Sequence, residues 1–166
     1  TSGTATLVNS TISHNTALYQ DMASGIGARG GTLSLLNCTL AYNSGGVAGL
    51  YNDSSGSTNV RNSIIAENTT ANCAGSFVSG GYNLDSDGSC GFNSKGDLVA
   101  APLLGPLQNN GGQTETHALL TGSPAIDHIP IKACGVRTDQ RGVARPIDGN
   151  EDGLLACDVG AYELNP

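Results

Sequence analysis

Apolar and polar positions along the first seventy residues recur in one arrangement. "LVNSTISHN" (7–15), "LLNCTLAYN" (35–43) and "VRNSIIAEN" (60–68) align without gaps. In each, a short apolar step leads to an asparagine, a second apolar step follows, and another asparagine comes six positions after the first. Runs this short, rich in β-branched and small residues, predict strands. Glycines interrupt nearly every stretch that could be helical, as in "GIGARGG" (25–31) and "GVAGLYNDSSG" (46–56).

The first asparagines, Asn9, Asn37 and Asn62, lie 28 and then 25 residues apart. A period in the twenties marks a solenoid, in which each unit buries its apolar face only against its neighbours. Leucine-rich repeats share the period but need more leucine and often a helix per unit. The alignment predicts two inward rows, Leu7, Leu35, Val60 and Ile12, Leu40, Ile65, with Ser10, Cys38 and Ser63 between them. Asparagine tolerates left-handed backbone angles and suits a sharp bend. Asn9, Asn37, Asn62 and Asn15, Asn43, Asn68 are therefore expected at bends, with their amides bonded in ladders. The predicted fold is all-β: a right-handed parallel β-helix (solenoid) with a disulfide-tied C-terminal closing segment. Residues 1–70 supply three tandem coils; residues 71–166 supply terminal coils and the closing segment of the same domain.

Composition narrows the setting. The 166 residues include 24 glycines, no tryptophan and 4% aromatics, which suits close stacking of small side chains. A net charge of −7 argues against nucleic acid, and no apolar run approaches the ~18 residues of a membrane span. Five cysteines among few lysines point to an oxidising, extracellular compartment. Four of them allow three connectivities. The local pairs Cys73–Cys90 and Cys134–Cys157 are favoured, because each closes a loop that few apolar residues hold. Cys38 falls in an inward row as a small buried hydrophobe.

Candidate chemistry is sparse. "DGNEDG" sets Asp148, Asn150 and Asp152 at alternate positions before Gly153, the first half of a calcium loop. The closing glutamate position holds Val159, so Asp158 would have to complete a Ca2+ site. "NLDSDG" (83–88) repeats the spacing without a completing acid and is expected to be a turn. Glu67 is the sole carboxylate within the three aligned segments. Asp127 and His128 are adjacent, which on a strand sends them to opposite faces. Ser123 lacks a nucleophile-elbow setting. His14 and His117 each stand alone in sequence, and Arg141 and Arg145 are expected to form ion pairs that pin the closing segment. Converging catalytic groups are not visible, and no enzymatic activity is expected.

From "NSIIAEN" onward the chain resembles the choice-of-anchor Q family of bacterial surface proteins. The resemblance rests on "NCAGSFVSGGYNLDSDGSC" (72–90), "APLLGPLQNNGGQTETHALLTGSPAIDH" (101–128), "TDQRGVARP" (138–146) and "CDVGAYE" (157–163). It implies a right-handed β-helix secreted to, or held at, the cell surface, with no established enzymatic activity. The chain ends at "YELNP" with no sorting motif or hydrophobic tail, and it opens within the first coil without a polar cap. An uncapped β-helix end exposes unpaired strand edges. End-to-end self-association into a homopolymer is thus expected. The expected function is a non-catalytic structural protein of the bacterial cell surface or extracellular matrix. The alternative is a carbohydrate-binding or polysaccharide-processing module, with Tyr42 and Tyr51 as the first candidates to contact a surface glycan.

Overall fold

The computed structural model describes residues 3–53 and 55–166. Among these the structure is all-β: parallel sheets in the first hundred residues, two antiparallel pairs beyond, and one 3-10 turn at Ile131–Ala133.

Strands from successive repeat copies pair in parallel. One sheet joins β1 (Thr4–Val8), β5 (Gly31–Leu36), β9 (Gly56–Arg61) and β12 (Val78–Ser79) in that order. A second joins β2 (Thr11–Ser13), β6 (Thr39–Ala41), β10 (Ile64–Ala66), β13 (Leu84–Asp85) and β14 (Leu98–Val99). A third joins β4 (Ala23–Ala28), β8 (Ala48–Asn52) and β11 (Cys73–Ala74), and a short pair links β3 (Thr16–Ala17) to β7 (Ser44–Gly45). The register sets Leu7 beside Leu35 beside Val60, and Ile12 beside Leu40 beside Ile65. All six belong to or pack against one apolar cluster, which also takes in Cys38. Matching aliphatic side chains at matching positions let every strand bury the same face, which fixes the register.

The two asparagine rows behave differently. Asn15 Nδ2 donates to Asn43 Oδ1 at 2.9 Å, Asn43 to Asn68 at 3.0 Å and Asn68 to Asn72 at 3.1 Å. Asn72 ends the ladder on the buried carboxylate of Asp85 at 2.8 Å. Gly49 leaves the room: a Cβ there would sit 2.4 Å from Asn68 Cγ. The row of Asn9, Asn37 and Asn62 is not a continuous ladder. Asn62 reaches Asn37 only at 3.4 Å and bonds the carbonyls of Ala133 and Cys134 at 2.9 and 3.1 Å, while Asn9 bonds the carbonyl of Thr138 at 2.8 Å. The C-terminal segment runs along that flank, and its carbonyls take the donors that a ladder would use. The bends differ as well. Asn9, Asn37 and Asn62 are left-handed, but at the second bend the left-handed residues are His14, Tyr42 and Glu67, one position before the ladder asparagines.

Asn43 carries the densest set of these bonds. Its side chain also donates to the carbonyls of Ile12 and Ala41 and accepts from Asn15 N. Asn43→Ala is expected to lower stability by about 2 kcal/mol, since buried donors and acceptors lose their partners. Asn9→Ala should cost less than about 1 kcal/mol, because it removes a single bond at a half-buried site. Urea denaturation of both variants checks the ordering.

The closing segment lies lengthwise across the repeats. β15 (Leu104–Gln108) pairs antiparallel with β16 (Thr116–Leu119), and β17 (Ile129–Pro130) with β18 (Ala156–Cys157). Gln140 meets Thr11, Ala161 N meets Thr39 Oγ1, and Gly160 N meets Asn62 O, so one strap touches all three repeat copies. Disulfides join Cys73 to Cys90 and Cys134 to Cys157; Cys38 is a free, fully buried thiol, and burial pushes its pKa up. The two disulfides are consistent with an extracellular or secreted protein. No helix among the described residues is long and apolar enough to cross a membrane.

Candidate functional site

The second bend of each repeat generates the most distinctive surface. A left-handed residue turns the chain there, and the following asparagine enters the ladder, which is buried at Asn43 and Asn68. The bend residue itself faces outwards. His14, Tyr42 and Glu67 occupy this step in consecutive repeats. The rings of His14 and Tyr42 lie 5.5 Å apart and nearly parallel, at 26°.

His117 on β16 completes the group. Its ring centroid is 5.7 Å from His14 and 5.1 Å from Tyr42. Neither histidine stands alone, contrary to the expectation from sequence: 103 positions apart in the chain, they meet because the β15–β16 hairpin folds back beside β2. Hydrogen bonds fix the protons. His117 Nδ1 lies 2.7 Å from Gly105 O, which can only accept, so Nδ1 carries the hydrogen. Nε2 therefore accepts from Ser13 Oγ at 2.8 Å, and the Ser13 oxygen accepts from His14 Nδ1 at 2.7 Å. Burial pushes the His117 pKa down, partly offset by the Gly105 bond, which fits a neutral ring. Burial, then the nearby Glu67 charge, pushes the Tyr42 phenol up.

These side chains and Leu104, Gly105, Pro106 and Leu107 line a cleft of about 420 Å³. Chemically it offers an apolar wall, three rings and few polar atoms. A serine bonded to a histidine that a carbonyl orients has two parts of a nucleophilic triad. Here the N–H of His14 engages a lone pair of the Ser13 oxygen, which opposes attack by it.

The other candidate residues go elsewhere. Tyr51 lies in β8 and does not line the cleft. Asp127 accepts the amides of Gly149 and Asn150, while His128 bonds Gly96 O, so the two form no dyad. Ser123 bonds Pro102 O and Ala125 N. In the acidic loop, Asp148 accepts from Asp152 N and Gly153 N, and Asn150 Oδ1 also accepts from Asp152 N. Asp158 is not part of that loop. It is buried, with its oxygens on the amides of Asp127 and Leu164 at 2.8 and 2.6 Å, and desolvation pushes its pKa up to about 6. In this arrangement the Asp158 oxygens serve the amides of Asp127 and Leu164 rather than the turn of Asp148, Asn150 and Asp152. Among the described residues no three His, Cys, Asp or Glu side chains form a group that could hold a metal.

"TDQRGVARP" and "CDVGAYE" interlock. Arg145, 6% exposed, bonds Glu163 Oε2 at 2.8 Å and the carbonyls of Asp158 and Gly160 at 2.6 and 2.7 Å. Glu163 also accepts the amides of Ile147 and Asp158. Burial drives both partners towards neutrality, Glu163 up and Arg145 down. The Glu163 oxygens meet only N–H donors, so the carboxylate is the form that the site holds. Arg141 pairs with Asp139 at 2.8 Å and lies 3.6 Å over the Tyr162 ring.

Comparison of the chain with family models, curated proteins and solved structures gave no match.

Proposed function

We propose that this chain is a non-catalytic structural module of a bacterial cell surface or extracellular matrix. In this reading it is a right-handed parallel β-helix that is secreted and stacks end to end. The observation that carries the reading is the uneven cover of equivalent core positions. Leu35 and Leu40 are 2% and 0% exposed, while Leu7 and Ile12, in register with them, are only partly buried. β1, β2 and β4 are also the terminal strands of their sheets, so among the described residues one edge of each has no strand partner. At the opposite edges, β12 and β14 carry Val78 and Val99, which are 57% and 67% exposed.

The occupant that best suits the first edge is the opposite edge of a second copy. Both edges run parallel with the same strand spacing, ~4.8 Å. Contact between unlike ends does not close on itself and yields a filament. The two disulfides are consistent with an extracellular setting. Light scattering and electron microscopy of the purified chain test the proposal. Concentration-dependent linear assemblies are expected. A monodisperse monomer at millimolar concentration would overturn the stacking, and cleavage of a polysaccharide would overturn the non-catalytic assignment.

A further inference from the structure

We infer that the cleft between the second bend and the β15–β16 hairpin is a binding subsite for a neutral saccharide. This goes beyond the structural role and does not depend on end-to-end stacking. Three observations converge on it.

The first is shape and lining. Leu104, Pro106 and Leu107 face the rings of His14, Tyr42 and His117 across about 420 Å³, within the ~300–1,000 Å³ of small-ligand sites. A pyranose ring has one face of C–H groups that packs on such a surface, with hydroxyls at its rim. The second is the proton arrangement. His14 Nδ1–H is donated to Ser13, and in the neutral ring this leaves Nε2 as an acceptor. Neither that nitrogen nor the Tyr42 hydroxyl bonds any described protein group. One acceptor and one donor–acceptor beside an apolar wall match a sugar hydroxyl pair. They do not match a carboxylate or phosphate, which needs several donors. The third is charge. No Lys or Arg lines the cleft, and Glu67, one repeat further along the row, already acts on Tyr42. An anionic ligand would be repelled.

The His117–Ser13–His14 chain gives the site its rigidity. His117 is held by Gly105 O at one nitrogen and by Ser13 at the other. Ser13 is thus a positioning residue: it sets which His14 nitrogen is free to accept.

Titration of the intact chain with cello-, manno-, galacto- and chito-oligosaccharides, followed by NMR of the histidine and tyrosine ring protons, tests the assignment. Oligogalacturonate serves as the anionic arm. One neutral series should give saturable shifts at His14, Tyr42 and His117. Tyr42→Phe, which keeps the ring, should weaken binding about three- to tenfold, the effect of one lost hydrogen bond. His14→Ala, at an exposed position, should weaken it at least as much, and Tyr51→Ala should leave it unchanged. The inference is overturned if no neutral series saturates, if oligogalacturonate binds more tightly than all of them, or if Tyr42→Phe and His14→Ala both bind as the parent chain does.

Discussion

Arg145→Met is expected to lower unfolding free energy by about 3–5 kcal/mol, as does breaking a buried ion pair from one side. The substitution keeps length and apolar bulk but strands the Glu163 carboxylate, which is 0% exposed. It also removes the donors of the Asp158 and Gly160 carbonyls. Double replacement, Arg145→Met with Glu163→Gln, should recover part of the loss, since no charge then remains unpaired. The single variant should carry its own pH signature. A buried carboxyl whose pKa is raised favours the protonated fold. Its contribution is therefore fully present below the unfolded value of ~4.3 and is lost as pH rises through the folded one. The deficit of Arg145→Met should accordingly shrink towards pH 4. Urea midpoints at pH 4 and pH 7 measure both effects. A loss below about 1 kcal/mol at pH 7 would show that the pair does not hold the strap.

Leu40→Ala should cost about 3–4 kcal/mol, within the range for fully buried leucines. Leu40 is 0% exposed, sits between Ile12 and Ile65 in register, and closes against the backbone beside Gly25. Little around it can collapse, because both neighbours belong to paired strands. Ile12→Ala, at the half-covered end of the same row, should cost about half as much. Thermal and urea unfolding of the pair read the difference directly. Equal losses would contradict the graded burial along the row.

The aliphatic rows and the second asparagine ladder were legible because they depend on local spacing: identical positions in gapless copies fall side by side when strands pair in parallel. The step that brings Tyr42 next to His14 was also written in the repeat, since both precede the second asparagine. His117 was not legible. It comes from an antiparallel hairpin with no counterpart in the repeats, and nothing near it in sequence names its neighbour. The row of Asn9, Asn37 and Asn62 misled for a related reason. Its amides have the spacing of a ladder, but a distant segment supplies carbonyls in better positions. Asp158 sits one residue from a calcium-loop position and yet serves the amides of Asp127 and Leu164, with its backbone held by the adjacent Cys157 disulfide and by Arg145 on its carbonyl.

Asn9 and its partner Thr138 are 129 residues apart. Proteins built from stacked repeats ordinarily fold from any point and spread outwards, one neighbour at a time. Here the first repeat copy gains its flanking partners only once the distant strap around Thr138 and Gln140 is in place. Loop closure over such a span is slow. Until it happens, the bonds from Asn9 to Thr138 and from Thr11 to Gln140 remain unmade.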